Sequence, residues 1–180
     1  MSAAVKARKP VAIIGILSMI AGLVLIIAGG VVWGVITSQL KAEEITVSAV
    51  NEENPGALAG KPVAGPFTAF AQANAINEHA LAGSGGLTYA ELGEKITELK
   101  AAGADADDEE VAALTAQRAT VMNGSFLRAS LFTSVVSYGV SALVMGLGLM
   151  FILVGWSLRE LSVAKVAVAA AEEKKVAVNA

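Results

Sequence analysis

Hydrophobic positions in this chain fall into two long unbroken blocks, with shorter periodic groups between them. No charged residue occurs from Pro10 to Leu40 or from Ala129 to Leu158, stretches of 31 and 30 residues. Their apolar runs are Val11–Ile36 and Leu131–Leu158. Each block exceeds the roughly 20 residues a helix needs to cross a hydrocarbon core about 30 Å thick. Neither alternates with the period of a strand, so the pattern predicts transmembrane helices over 11–37 and 129–158. The first block has a competing reading as a cleaved secretory signal, because Lys6, Arg8 and Lys9 precede it. A signal core is about 7–15 apolar residues followed by a small-x-small site. Here the run is 26 residues long and leads into Thr37-Ser-Gln-Leu-Lys41, so an uncleaved anchor is expected.

Between the blocks the periodicity shortens. Ile45 to Val50 alternates apolar and polar residues and predicts one short strand. Asn54-Pro-Gly56 marks a turn, and Pro62 and Pro66 keep the next stretch extended. A helix is expected over Phe67–Leu81, with Phe67, Phe70, Asn74 and Leu81 approximating one face, stopped by Gly83-Ser-Gly-Gly86. Thr88-x-x-Glu91 is a capping box opening a second helix to about Lys100, with Leu92, Ile96 and Leu99 as its stripe and Gly103 as its break. A third helix is expected from about Asp107 through Met122, with Val111, Leu114, Val121 and Met122 as its apolar positions. Asn123-Gly124 is expected to separate it from the second span. The fold class is mainly α: an antiparallel transmembrane hairpin carrying a small, mostly helical domain with at most one short strand. Three Phe, one Tyr and much Ala give that domain a thin core, so something else is expected to cover part of it.

Small residues recur at a spacing of seven within both spans. Gly15, Gly22 and Gly29 form one set; Ser134, Ser141, Gly148 and Gly155 form the other. Seven residues are close to two helical turns, so each set makes a stripe on one face. Ser18-x-x-x-Gly22, Gly30-x-x-x-Gly34 and Ala142-x-x-x-Gly146 add to the pattern. Lipid supplies no hydrophobic drive between helices, and small residues permit the close backbone approach that replaces it. The expected contact sets Gly15, Gly22 and Gly29 against Ser134, Ser141 and Gly148, within the hairpin or between copies.

Charge gives the blocks a sidedness. The first ten residues carry +3 and the tail after Leu158 carries +1, while residues 41–128 hold six basic and thirteen acidic side chains. The positive-inside rule places residues 1–10 and 159–180 in the cytoplasm and 38–128 outside the plasma membrane. Trp33 and Trp156 fall near the outer and inner ends of their spans, where interfacial indoles belong. Neither span contains Asp, Glu, Lys, Arg or His, the residues that mark ion pathways and proton relays. The acidic outer region also disfavours nucleic acid as a partner.

Little in the chain points to catalysis. With 55% hydrophobic residues, no Cys and one His, thiol chemistry and any one-chain site needing two imidazoles are excluded. Asp105, Asp107, Asp108, Glu109 and Glu110 fail the calcium-loop pattern, because its glycine and glutamate positions fall on Glu110 and Ala116. Acids crowding a helix start, where they complement the dipole, is the simpler account. Gly83–Gly86 lacks the lysine of a phosphate loop and reads as a helix–helix turn. Neither a nucleophile elbow nor a metal-ligand spacing occurs, so no catalytic, cofactor or metal site is expected.

Four stretches carry a resemblance: Ala59–Asn74 (AGKPVAGPFTAFAQAN), Ile76–Leu81 (INEHAL), Gly85–Leu92 (GGLTYAEL) and Arg118–Thr133 (RATVMNGSFLRASLFT). Together they resemble a group of actinobacterial two-span membrane proteins, over most of the chain except about Glu94 to Gln117. Members are often labelled aromatic ring-opening dioxygenase, which would imply a two-His, one-carboxylate iron site. The single His79 cannot supply it, so the resemblance implies architecture and location rather than chemistry. The expected function is that of a non-catalytic accessory or structural subunit. It would dock on a larger envelope or respiratory complex, or self-assemble, with Phe67, Phe70, His79 and Tyr89 as outer contact surface. An outer ligand sensor is the alternative, and an enzyme using His79 comes last.

Overall fold

The computed structural model describes residues 8–178, with side chains described over 10–162. Lys6 and the side chains of the tail charges beyond Ser162 lie outside the described residues. Among the described residues there are four helices: α1 (Arg8–Ala42), α2 (Pro66–Gly83), α3 (Tyr89–Ala101) and α4 (Glu109–Val178). Two of them, α1 and α4, are long and apolar enough to cross a membrane. The chain is therefore a mainly helical protein in which two long apolar helices accompany a small helical domain. It divides into two compact units, one of Met1–Gly34 with Gly139–Ala180 and one of Val35–Tyr138.

In the first unit the long helices run antiparallel, with positions near residue 15 beside those near 155 and positions near 29 beside those near 141. Ser18 Oγ crosses between them to donate to the Phe151 carbonyl at 2.8 Å. Trp156 is exposed and its indole N–H reaches Glu160 Oε1 at 3.2 Å, as suits a ring with one apolar and one wet end.

The second unit is built around small side chains. Val47, Val63, Ala69, Ala73, Ala75, Leu92, Val111, Val121 and Leu131 are buried, and Tyr138 is the largest fully buried side chain. Tyr138 Oη lies 2.8 Å from Thr37 Oγ1, so the phenol keeps a hydrogen-bond partner despite its burial.

Local signals account for most of the helix ends. Thr68 Oγ1 accepts from the Ala64 and Gly65 N–H groups at 3.1 and 3.2 Å, tying down the start of α2 beside Pro66. At its other end Gly86 N–H donates to the Leu81 carbonyl at 2.7 Å, with Gly85 and Gly86 at φ +66° and +84°. Ser84 Oγ turns inward there, 2.6 Å from the Leu87 carbonyl. Thr88 caps α3: Glu91 N–H donates to Thr88 Oγ1 at 3.4 Å, and the Glu91 carboxylate accepts from Thr88 N–H at 2.7 Å. The Thr88 backbone and side-chain hydrogen bonds hold the Glu91 carboxyl below its ordinary value of 4.5. Asp108 Oδ1 accepts from Glu110 N–H at 2.9 Å, so the acidic cluster opens α4 as a cap and a dipole partner.

Three expectations are corrected. No strand forms among the described residues: Thr46 and Pro62 make a single antiparallel bridge, flanked by Val47 N–H to Lys61 and Val63 N–H to Ile45. Pro62 has no N–H to extend the ladder, and beside it Gly60, at φ +76°, and Lys61 both bond to Val47, a two-against-one pairing that ends the regular register. Asn123-Gly124 does not separate two helices, because α4 runs through it without a break. A Cβ on Gly124 would stand 3.1 Å from Ala80 Cβ, so that glycine serves the close approach of α2 rather than a turn. Finally, the buried face of α2 is Ala69, Gln72, Ala73 and Ala75, not the one marked by Phe67, Phe70, Asn74 and Leu81. Alanines let α2 lie close to its neighbours, and the bulkier phenylalanines are left outward.

Candidate functional site

The seven-residue stripes meet within the chain. A Cβ on Gly15 would lie 2.7 Å from the Gly155 carbonyl oxygen, and one on Gly148 would lie 2.6 Å from the Gly22 carbonyl oxygen. Gly22 and Gly155 face the reciprocal carbonyls of Gly148 and Gly15 even more closely. A Cβ on Gly29 would lie 2.9 Å from the Ser141 carbonyl and 2.6 Å from Met145 Cγ. The backbones therefore approach to the distance at which glycine Cα–H groups point at facing carbonyls. The facing set differs from the expected one in a single member, Gly155 in place of Ser134: antiparallel register sets Gly15 beside Gly155, Gly22 beside Gly148 and Gly29 beside Ser141. Ser134 falls outside this seam, in the second unit. Gly30, Gly34, Gly139 and Gly146 have nothing within 4 Å of their Cβ positions.

The four outer-surface residues do not form one patch of like character. Phe67 is 80% exposed, whereas Phe70 packs edge-on against Phe132 with ring centroids 5.7 Å apart. Beside them, Arg128 donates from Nη1 to Asn77 Oδ1 at 3.0 Å and sets its guanidinium 5.3 Å from the Phe132 ring centre. Its Nε is buried without a partner. Tyr89 serves packing: the Arg118 guanidinium lies 3.9 Å over its ring, and Arg118 Nε donates to the Tyr89 carbonyl at 3.2 Å. His79 is exposed near the end of α2 and makes no side-chain hydrogen bond among the described residues. Among the described residues no three His, Cys, Asp or Glu side chains group as a metal site.

The second unit also holds a groove of about 620 Å³, which sequence reasoning did not anticipate. Its walls come from the last turns of α1, the segment after it, the middle of α2 and residues 127–137 of α4. The volume lies within the range of small-molecule sites. Gln72 closes part of one wall, and both ends of its amide are engaged: Oε1 accepts from Ser48 N–H at 2.7 Å and Nε2 donates to Ser48 Oγ at 3.3 Å. One signal was present in the sequence: Ser130, Thr133, Ser134 and Ser137 put hydroxyls at helical spacing into an otherwise apolar region. Comparison of the chain with family models, curated proteins and solved structures finds no match in any of the three.

Proposed function

We propose that this chain is a non-catalytic integral membrane protein of the plasma membrane, docking as an accessory or structural subunit on a larger envelope or respiratory complex. The observation that carries the reading is exposure. Only 11% of the most apolar window of α1 and 17% of that of α4 is buried. The core helix of a water-soluble protein buries such a face, whereas Ile13, Leu17, Leu23, Leu143, Leu149 and Leu153 are each at least half exposed. Lipid is the solvent that makes this surface stable. The resemblance to actinobacterial two-span proteins agrees with the assignment. Because the glycine seam joins the two helices of one chain, docking falls to other surfaces, and Phe67 with Phe70 is the leading one.

Affinity purification from native membranes in mild detergent, followed by weighing of the intact particle, tests docking. Stoichiometric companion proteins are expected, and Phe67→Glu should reduce their recovery while leaving the chain's own yield intact. A homogeneous particle of this chain alone would refute the accessory role. The proposed sidedness has both termini cytoplasmic and 38–128 outside. The absence of native cysteine makes single-cysteine labelling clean. With an impermeant maleimide on intact cells, Gly85→Cys should react fully and Ala4→Cys only after lysis. Labelling of Ala4→Cys in intact cells would reverse the orientation.

A further inference from the structure

On one side of the second unit, polarity falls step by step along two helices at once. There α2 runs antiparallel to α4: a Cβ on Gly124 would stand 3.1 Å from Ala80 Cβ, Arg128 bonds to Asn77, and Phe132 packs on Phe70. Gly124, Arg128 and Phe132 are four residues apart, so each step is about one turn on the same face of α4. One turn further come Val136 on α4 and, three residues before Phe70, Phe67 on α2. The order is therefore a charged and an amide side chain, then two packed rings, then two apolar side chains left 63% and 80% exposed. The sequence carries this grading on both helices. After Arg128 no charge occurs until Arg159, and none lies between Lys61 and Glu78.

Charge at one end, rings in the middle and bare apolar surface at the other is the profile of a membrane interface. Height agrees with it. Thr37, one turn past Trp33 in α1, lies 2.8 Å from Tyr138 Oη, and Val136 is two residues from Tyr138. Phe67, a turn beyond the Phe70–Phe132 pair, thus falls near the level of the indole that marks the end of the first span. The start of α2 also suits a place poor in water. Of the N–H groups that a helix start leaves open, Pro66 lacks its own and Gly65 gives its to Thr68 Oγ1. We propose that the first turn of α2 rests in the interfacial region of the leaflet on that side, with Phe67 against lipid. Membrane lipid is then what covers this face. A partner docking at Phe67 meets it at the membrane and not in open solvent. The inference rests on the membrane-spanning reading above.

The full chain is reconstituted in phosphatidylcholine vesicles with a nitroxide on one introduced cysteine. Collisions of the label with oxygen, which concentrates in lipid, are compared with collisions with a water-soluble nickel chelate. Phe67→Cys is at an exposed position where the label disturbs no packing. Its oxygen-to-nickel ratio should be several-fold above that of Glu78→Cys, exposed near the other end of α2. It should approach that of Val140→Cys, an exposed position within the second span. Equal ratios at 67 and 78 would put Phe67 in water and overturn the proposal. Protection of the 67 label from both reagents would put it against a second copy of the chain and overturn it too. If Val140→Cys is in lipid and Phe67→Cys is not, the interfacial contact fails alone. If Val140→Cys itself meets the nickel chelate, the spanning reading fails with it.

Discussion

Gly22→Ile should open the hairpin, and Gly30→Ile, eight residues further along the same helix, should not. The contrast follows from what a side chain would meet. At Gly22 a Cβ points into the Gly148 carbonyl and lies 3.0 Å from the Ile152 backbone nitrogen, and neither can be relieved by turning a side chain. At Gly30 a Cβ meets nothing within 4 Å. Overpacking a tight site costs about 1–3 kcal/mol, more where backbone must move. Separating α1 from α4 also removes the dispersion contacts of Gly15, Gly29 and Ser18 on the same face. In a membrane no hydrophobic drive compensates for that loss. The apparent melting midpoint of the detergent-solubilised chain, followed by fluorescence-detected size exclusion, should fall by many degrees for Gly22→Ile and Gly148→Ile. It should hold for Gly30→Ile and Gly34→Ile. Equal behaviour of the two pairs would mean that the seam does not stabilise the hairpin.

The seam shows how far sequence periodicity reaches. The spacing of seven identified the residues because two helical turns bring them to one face, a property of a single helix. Which residue faces which depends on the antiparallel register, fixed only when two helices meet, and the true partners of Gly15 and Gly22 are Gly155 and Gly148. Local chemistry was legible for the same reason as the stripes. Thr88 with Glu91, the Gly85–Gly86 turn and the acids before α4 act within a few residues of themselves. What escaped were features made by distant residues. Gly124 reads as a break because the cause of its glycine, Ala80, lies on another helix. The buried face of α2 was misread because alanine is a weak hydrophobic signal, yet its short side chain lets helices lie close. Tyr138, the largest fully buried side chain, stands in an apolar run and takes its meaning from Thr37, about a hundred residues away. The groove was hidden for the same reason, its walls coming from segments widely separated in sequence.

Leu92→Ala should detach α3 from the second unit while leaving the hairpin intact. Leu92 is the only buried residue on α3 and has no exposed surface. The remaining tether described above is Arg118, stacked on the Tyr89 ring and bonded to the Tyr89 carbonyl. Truncating a buried leucine costs about 2–5 kcal/mol, and a small unit with an alanine- and valine-rich core has little reserve against that. A 13-residue helix is also marginal on its own, so loss of the anchor should unfold it rather than let it float. Hydrogen exchange of the full chain should show amides over 89–101 losing protection by one to several orders of magnitude, with α1 unchanged. Phe67→Ala removes a larger side chain from a position 80% exposed and should leave protection in α3 as it was. If Leu92→Ala leaves α3 protected, Arg118 holds the helix, and Arg118→Ala should then reproduce the loss. If Phe67→Ala deprotects α3 instead, Phe67 belongs to the core and cannot serve as a docking surface.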